Sequence, residues 1–302
     1  MKKDFLSIAD LTTEDIDEIF DLTTELKTKL KNGEIYEPLK GKTLAMIFQK
    51  PSARTRISFE AGIFQLGGHA IYLAPADIGI GTREPVADIA RVLSRYNDGI
   101  MARLYGHEDI EALAKFSSIP VINGLTDLTH PCQIMADAFT ILEHRKTLKD
   151  IQVTFIGDGN NVANSWINFA ARQPIKLNLA CPEGYDPDPI VLKHARETAV
   201  NEITIYREPS DAAKGADILY TDVWASMGQE HEAAEREKAL ANYQINDALV
   251  AQAKPNVQVM HCLPAHRGLE ITDSVIEGPH SIVFDEAENR MHVQKALMVK
   301  LM

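Results

Sequence analysis

Residues 43–66 read TLAMIFQKPSARTRISFEAGIFQL, and their reading decides the fold. Thr43–Phe48 (TLAMIF) is an uncharged apolar run of strand length, as expected of a strand covered on both faces of a parallel sheet. Ile57–Leu66 (ISFEAGIFQL) reads as a helix, with Ser52 as the candidate N-cap. Lys50, Arg54 and Arg56 then crowd a helix N-terminus, the positive end of the helix dipole. Three cations there repel the dipole and one another unless an anion sits among them. Backbone N–H groups, the hydroxyls of Ser52 and Thr55, and guanidinium forks together form a phosphate cradle. The plain alternative is a solvated basic turn, since most charge runs are surface. The background sharpens the contrast: 31 Lys and Arg against 43 Asp and Glu leave a formal charge of −12.

Working outward, strand and helix patterns alternate. The Thr13–Lys31 stretch is helical, with Ile16, Ile19, Phe20 and Leu22 as an apolar stripe. After the opening unit come strands at His69–Leu73, Gly99–Leu104 and Pro120–Asn123, and helices at Pro85–Tyr96 and Glu108–Phe116. A long helix is expected over Pro131–Leu148, with the length to join two domains. The alternation restarts with strands at Ile151–Ile156, Lys176–Ala180, Glu202–Tyr206, Asp217–Val223 and Val257–His261. Helices are expected at Asn161–Arg172, Pro189–Val200 and Glu286–Leu301. The pattern predicts an α/β protein of two doubly wound domains with mainly parallel sheets. The expected division is 1–145, completed by a C-terminal helix of about 286–302 that packs back on it, and 146–285. Ligands of such sheets sit at the carboxyl ends of the strands. Polar clusters occur at six of these ends: Lys50–Arg56, Arg103, His130, Asp158–Asn161, Asp222 and His261–Cys262. Their coincidence points to one cleft between the domains.

Bulk properties exclude several classes. A chain of 302 residues, 45% hydrophobic, fits about two domains. Its acidic balance disfavours nucleic-acid binding. Cys132, Cys181 and Cys262 are odd in number and widely spaced, with no C-x-x-C pair, which fits reduced thiols in a cytoplasmic protein. The first residues lack the apolar core of a signal peptide, and no apolar run approaches the ~20 residues of a membrane span.

Each polar cluster carries chemistry and an ordinary alternative. Arg103 ends an apolar strand, where burial is costly without a partner; an ordinary salt bridge competes with a phosphate or carbonyl ligand. His130 precedes Pro131, which suits the first helical position, so its imidazolium form is disfavoured and a neutral ring is available to polarise a carbonyl. A histidine N-cap is the alternative. Gly157-Asp158-Gly159-Asn160-Asn161 resembles a dinucleotide loop, but Val162 occupies the place of the third glycine, so that fingerprint fails. Its two amides suit an amino-acid head group or a helix cap. Asp222–Gln229 (DVWASMGQ) reads either as a mobile, partly apolar lid or as a loop that tucks Trp224 into the core. Cys262, in His261-Cys262-Leu263-Pro264, is a candidate nucleophile or a small buried residue.

These segments together resemble the aspartate/ornithine carbamoyltransferase family, along nearly the whole chain. FQKPSARTR is similar to the family's carbamoyl phosphate signature and HPCQ to its H-P-x-Q motif. GDGNN, DVWASMGQE and HCLP resemble the amino-acid-binding segments of the ornithine branch, and AENRMH its C-terminal arginine motif. The resemblance implies transfer of the carbamoyl group of carbamoyl phosphate to the δ-amino group of L-ornithine. The products would be L-citrulline and phosphate, in arginine biosynthesis, with no metal or organic cofactor.

It also implies residue roles. Carbamoyl phosphate would be held by Ser52, Ala53 through its backbone, Arg54, Thr55, Arg103, His130, Gln133, Cys262, Leu263 and Arg290. Asn161, Asp222, Ser226 and Met227 would bind ornithine, and Arg103, His130, Asp222, Cys262 and Arg290 would be the catalytic set. A homotrimer, or a multiple of it, is implied, with a neighbour's Asp77–Glu84 loop completing the phosphate site. Two departures stand out. Ala53 replaces the usual threonine, which removes one hydroxyl contact worth ~1.5–3 kcal/mol if nothing compensates. Gly79 stands where many members carry glutamine, with Arg83 as a candidate substitute. The competing readings are a carbamoyltransferase for putrescine, N-acetylornithine or aspartate, a Cys-His hydrolase, and a phosphoanion-binding regulator.

Overall fold

The computed structural model describes residues 3–199 and 201–302. From the N-terminus the order is α1 (Thr13–Lys31), β1 (Thr43–Phe48), α2 (Ala53–Gln65), β2 (His69–Leu73), α3 (Pro75–Ile78), α4 (Val86–Tyr96), β3 (Gly99–Arg103), α5 (His107–Phe116), β4 (Val121–Leu125) and α6 (Pro131–Arg145). It continues with β5 (Gln152–Ile156), α7 (Asn161–Ala170), β6 (Lys176–Ala180), α8 (Pro189–Thr198), β7 (Ile203–Tyr206) and α9 (Pro209–Ala213). Then come β8 (Ile218–Thr221), α10 (Ala233–Leu240), α11 (Asp247–Val250), β9 (Gln258–His261), α12 (Asp273–Ile276) and α13 (Val283–Leu301). The chain forms two compact units, one of Met1–Ala136 with Asn289–Met302, the other of Asp137–Glu288. Both are α/β with parallel sheets, as the alternation requires. No helix among the described residues is long and apolar enough to cross a membrane.

In the first unit the sheet order is β2-β1-β3-β4, all neighbours parallel. Side chains alternate across the strands. Ala45, Ile47, Ile100, Ala102 and Val121 form one core with Ile89 and Ala90 of α4 and Ile110 and Leu113 of α5. Leu44, Met46, Phe48 and Met101, equally buried, point to the other face. The last part of the chain belongs here: a Cβ added to Gly62 of α2 would lie 3.2 Å from Lys295 and 3.3 Å from Met298 of α13. Lys27 of α1 donates to Asn289 at 2.7 Å.

In the second unit the order is β7-β6-β5-β8-β9, again all parallel. Ile156, Leu219 and Val259 face a core completed by Leu240, Ile245 and Ile271. On the opposite face Phe155 stacks on Tyr220 at 5.9 Å, and Trp166 of α7 meets Tyr220 edge-on at 5.6 Å.

Each sheet has one place where the strand order reverses: between β1 and β3 in the first unit, and between β5 and β8 in the second. Loops leaving two such strands diverge to opposite sides and leave a crevice. The segments that follow these four strands hold Ser52–Arg56, Leu104–Tyr105, Asp158–Asn161 and Asp222–Gln229.

Several boundaries shift, and one of two open readings is decided. Helix α2 begins at Ala53 rather than Ile57, because the Ser52 hydroxyl caps it by accepting from Thr55 N–H. Helix α6 ends at Arg145 rather than Leu148, where Lys146 turns to a left-handed φ of 63°. Of the two readings of Trp224, the core one holds: it is 4% exposed and packs in the second unit's core. Short helices α3, α9, α11 and α12 carry too few residues for a periodic signal. Val200, expected to end a helix, lies outside the described residues.

The GDGNN turn has no room to spare. A Cβ on Gly159 would sit 2.3 Å from Pro187 N and 2.4 Å from Asp186 C, both backbone atoms. Gly159→Ala should destabilise the protein by about 1–3 kcal/mol through forced backbone displacement. Urea unfolding checks this; an unchanged midpoint would show that the turn yields freely.

Candidate active site

In the first unit, α2 presents its N-terminus beside the end of β3, because register pairs Phe48 with Arg103. Ser52 Oγ accepts from Thr55 N–H at 3.3 Å, and the two hydroxyl oxygens lie 3.2 Å apart. Ala53 is the first helical residue, so its N–H has no intrahelical acceptor. Arg290 of α13 donates from Nη2 to Thr55 Oγ1 at 3.1 Å, and its buried Nε has no hydrogen-bond partner. His130 stands directly before α6, 4% exposed, and Gln133 N–H donates to its carbonyl at 3.2 Å. Burial, then the guanidinium charges of Arg290, Arg103 and Arg54, hold His130 well below the usual histidine range. The ring is therefore neutral at neutral pH. The charges of three guanidiniums thus act on one buried, neutral imidazole.

The other two cations of the opening motif are committed elsewhere. Lys50 pairs with Asp127 and lies over the Tyr105 ring at 4.4 Å. Arg56 pairs with Glu60 at 2.9 Å and stacks on Tyr72 at 3.9 Å. Arg83 donates to the carbonyl of Asp77 at 3.0 Å, within its own loop. Cys132 is fully buried and donates to Asn123 O, and its thiol is pushed up to about 12 by burial.

In the second unit, β8 and β9 pair Thr221 with His261, so the next residues, Asp222 and Cys262, leave the sheet side by side. Cys262 Sγ donates to Asp222 Oδ1 at 2.8 Å, and Asn160 Nδ2 donates to Asp222 Oδ2 at 2.8 Å. Asn160 also caps α7, its Oδ1 accepting from the N–H groups of Val162 and Ala163. Burial and then the Asp222 carboxylate push the Cys262 thiol well above its usual range. It is a neutral donor rather than a thiolate. His261 does not activate it: Nδ1 accepts from Leu263 N–H at 2.9 Å, which places the ring proton on Nε2, facing Glu270 Oε1 at 3.1 Å. A Cys-His hydrolase needs a histidine bonded to the thiol, so that reading falls.

Ligand atoms of Asp222, His261 and Cys262 lie within 4.8 Å of one another. A metal would have to displace the thiol proton and one of the two ring contacts just described. Ser226 N–H donates to Gln229 Oε1 at 3.1 Å, closing a small loop from which Met227 is 39% exposed. Asn161 opens α7 beside Asn160.

Sequence reading passed over two groups here. Arg236 of α10 donates to Asp158 at 2.8 Å and to the Trp224 carbonyl at 3.3 Å, which ties the Asp222–Gln229 loop to the end of β5. Burial raises Asp158 to about 6 against the pull of Arg236. The other group is the buried set Asp137, Tyr220 and Glu286. The only sequence signal for it was Glu286 standing one helical turn before Arg290.

Residues 3–143 match the family model for the aspartate/ornithine carbamoyltransferase carbamoyl-P binding domain, and residues 149–301 that for the Asp/Orn binding domain. The chain therefore belongs to the aspartate/ornithine carbamoyltransferase family and is a carbamoyltransferase. A Chlorobaculum tepidum protein named ornithine carbamoyltransferase is 58% identical over 304 residues, covering 100% of this chain and 90% of that one. One from Geobacter metallireducens is 55% identical over the full length of both chains (100% each). The solved ornithine carbamoyltransferase from Pyrococcus furiosus superposes with a TM-score of 0.95 at 51% identity, covering 98% of this chain and 95% of that one.

The neutrality of His130 has a stability consequence. The unfolded chain protonates this histidine below its usual value of 6.5, and the native state does so only at lower pH. The unfolded state thus binds more protons in that window, and stability falls as pH drops from 6.5 through the native value. The unfolding free energy of wild type minus that of His130→Gln should decline there by up to about 1.4 kcal/mol per pH unit. Urea titrations between pH 7 and 5 read it; a pH-independent difference would contradict the assignment.

Proposed function

We propose that the chain is an ornithine carbamoyltransferase, making L-citrulline and phosphate from carbamoyl phosphate and L-ornithine in arginine biosynthesis. The observation that carries this is the neutral His130 among Arg54, Arg103 and Arg290. Carbamoyl phosphate has the required chemistry: a phosphate for the guanidiniums and the α2 N-terminus, and a carbonyl for a neutral imidazole. Ser52, Ala53 N–H, Arg54 and Thr55 hold the phosphate. Arg103, His130 and Thr55 polarise the carbonyl and stabilise the oxyanion, Gln133 orients the carbamoyl group, and Arg290 reaches the phosphate. The missing hydroxyl at Ala53 is offset by Arg290, which already positions the Thr55 hydroxyl.

Ornithine is taken by the second unit. Asp222 receives the α-ammonium group, with Asn161, Ser226 and Met227 along the head group and Cys262 and Leu263 beside the reacting carbon. Asp222 suits this role because its two oxygens are aligned by neutral donors, Asn160 and Cys262, and retain lone pairs for a cation. The δ-amine attacks the carbonyl carbon, forming a C–N bond. The tetrahedral intermediate collapses, the C–O bond to phosphate breaks, and phosphate leaves with the electron pair. One amine proton goes to the leaving phosphate. Positioning two small substrates supplies much of the rate. Only the neutral amine reacts, and lysine-like amines have a pKa near ~10.4, so activity rises with pH above 7.

A homotrimer, in which a neighbour's Asp77–Glu84 loop reaches the phosphate, belongs to the same reading. So does a cytoplasmic setting, which the free thiols of Cys132, Cys181 and Cys262 fit.

The test is a ureido-product assay with carbamoyl phosphate and ornithine, putrescine, N-acetylornithine or aspartate. Citrulline from ornithine alone, with one phosphate per citrulline, is expected. Product from another amine would overturn the assignment of Asp222–Gln229. Arg103→Ala should lower kcat on the order of 10²–10³-fold, as does loss of one oxyanion donor; unchanged kcat would remove Arg103 from the catalytic set.

A further inference from the structure

Beneath the second unit's exit strands lies a buried acidic pair that the reaction does not use. Asp137 of α6 is 0% exposed and Glu286 of α13 is 1% exposed. They meet on one phenol: Tyr220 Oη donates to Asp137 Oδ2 at 2.8 Å and lies 3.4 Å from Glu286 Oε1. The other oxygen of Glu286 accepts the backbone N–H of His261 at 2.9 Å. These contacts fall at informative places. Tyr220 lies on β8 two residues before Asp222, and His261 is the last residue of β9, immediately before Cys262. The pair thus touches both strands just below the point where the thiol–carboxylate contact forms.

We propose that Asp137 and Glu286 share a single proton, and that this protonated pair is a positioning element that fixes the ends of β8 and β9 and so the geometry with which Asp222 and Cys262 receive ornithine. The inference rests on the ornithine reading above and deepens it.

The physical case is direct. Two carboxylates this close cannot both stay ionised in a desolvated site, and a shared proton turns their repulsion into a hydrogen bond. Burial and then Asp137 raise Glu286 well above the carboxylate range. Burial, then Asp137 and Glu286, likewise raise Tyr220, which therefore remains a donor. One proton leaves one negative charge for the Tyr220 hydroxyl and the His261 N–H to stabilise. Losing it would drive the carboxyls apart, and the two strand ends are what they hold.

The test compares Glu286→Gln with Glu286→Ala. Glutamine can donate to Asp137 while accepting from His261 N–H, so it replaces the proton without titrating; alanine abolishes both contacts. Glu286→Ala should raise the ornithine KM about tenfold or more, the equivalent of roughly 1.4 kcal/mol. Carbamoyl phosphate affinity, measured by calorimetry, should stay within about twofold of wild type. Glu286→Gln should restore the ornithine KM to within about threefold. Wild type minus Glu286→Gln infrared difference spectra at pH 7 should show one protonated carboxyl band that shifts in D2O.

Absence of that band, or equal loss of affinity for both substrates, overturns the proposal. If Glu286→Ala does not fold, the glutamine variant and the infrared band still decide it. If wild type forms no citrulline, the functional reading fails, and the band reports on the proton pair separately.

Discussion

Parallel register between neighbouring strands is the constraint on which the rest depends. Backbone hydrogen bonds align the ends of neighbouring parallel strands, so residues just past them emerge side by side. Pairing Phe48 with Arg103 brings the end of β3 beside the loop that leads into α2. Pairing Thr221 with His261 sets Asp222 against Cys262 at hydrogen-bond distance. A slip of one residue in either pair would turn the functional side chains to the other face of the sheet.

Given that alignment, desolvation sets the chemistry. His130 is neutral because burial and three guanidiniums disfavour its cation, and Cys262 keeps its proton because burial and a carboxylate disfavour its anion. One environment is cationic and the other anionic. Each leaves its titratable residue neutral. The first unit suits a phosphate and the second an ammonium group, which is the pairing carbamoyl transfer to an amino acid requires.

Partner assignments show that two cations of the opening motif have structural work. Lys50 and Arg56 stand in the same motif as Arg54, yet Lys50 is spent on Asp127 and Tyr105, and Arg56 on Glu60 and Tyr72. Trp224 lies between Asp222 and Ser226 in the chain but is packed into the core, which anchors a loop whose tip, at Met227, is exposed. Arg236 adds a second anchor by bridging Asp158 and the Trp224 carbonyl.

By itself the sequence determined the elements and the motifs. Uncharged strand-length runs such as Thr43–Phe48 and Ile151–Ile156 announce a two-sided parallel sheet, and the helix at Thr13–Lys31 is set by a Thr12–Asp15 capping box and an apolar stripe. The residues at strand ends, from Ser52–Thr55 to His261–Cys262, were legible for the same reason: polar groups interrupt apolar runs where the chain leaves the core. Which charges are spent on neighbours, which thiol is protonated and which carboxyls meet were decided by tertiary structure alone. Asp137, Tyr220 and Glu286 lie on three elements far apart in the chain, and no local pattern marks them as a set. Their contact exists because the end of α6, the start of α13 and β8 meet in the second unit, and a pairwise Coulomb or hydrogen-bond energy depends on distance in space, which sequence separation does not record.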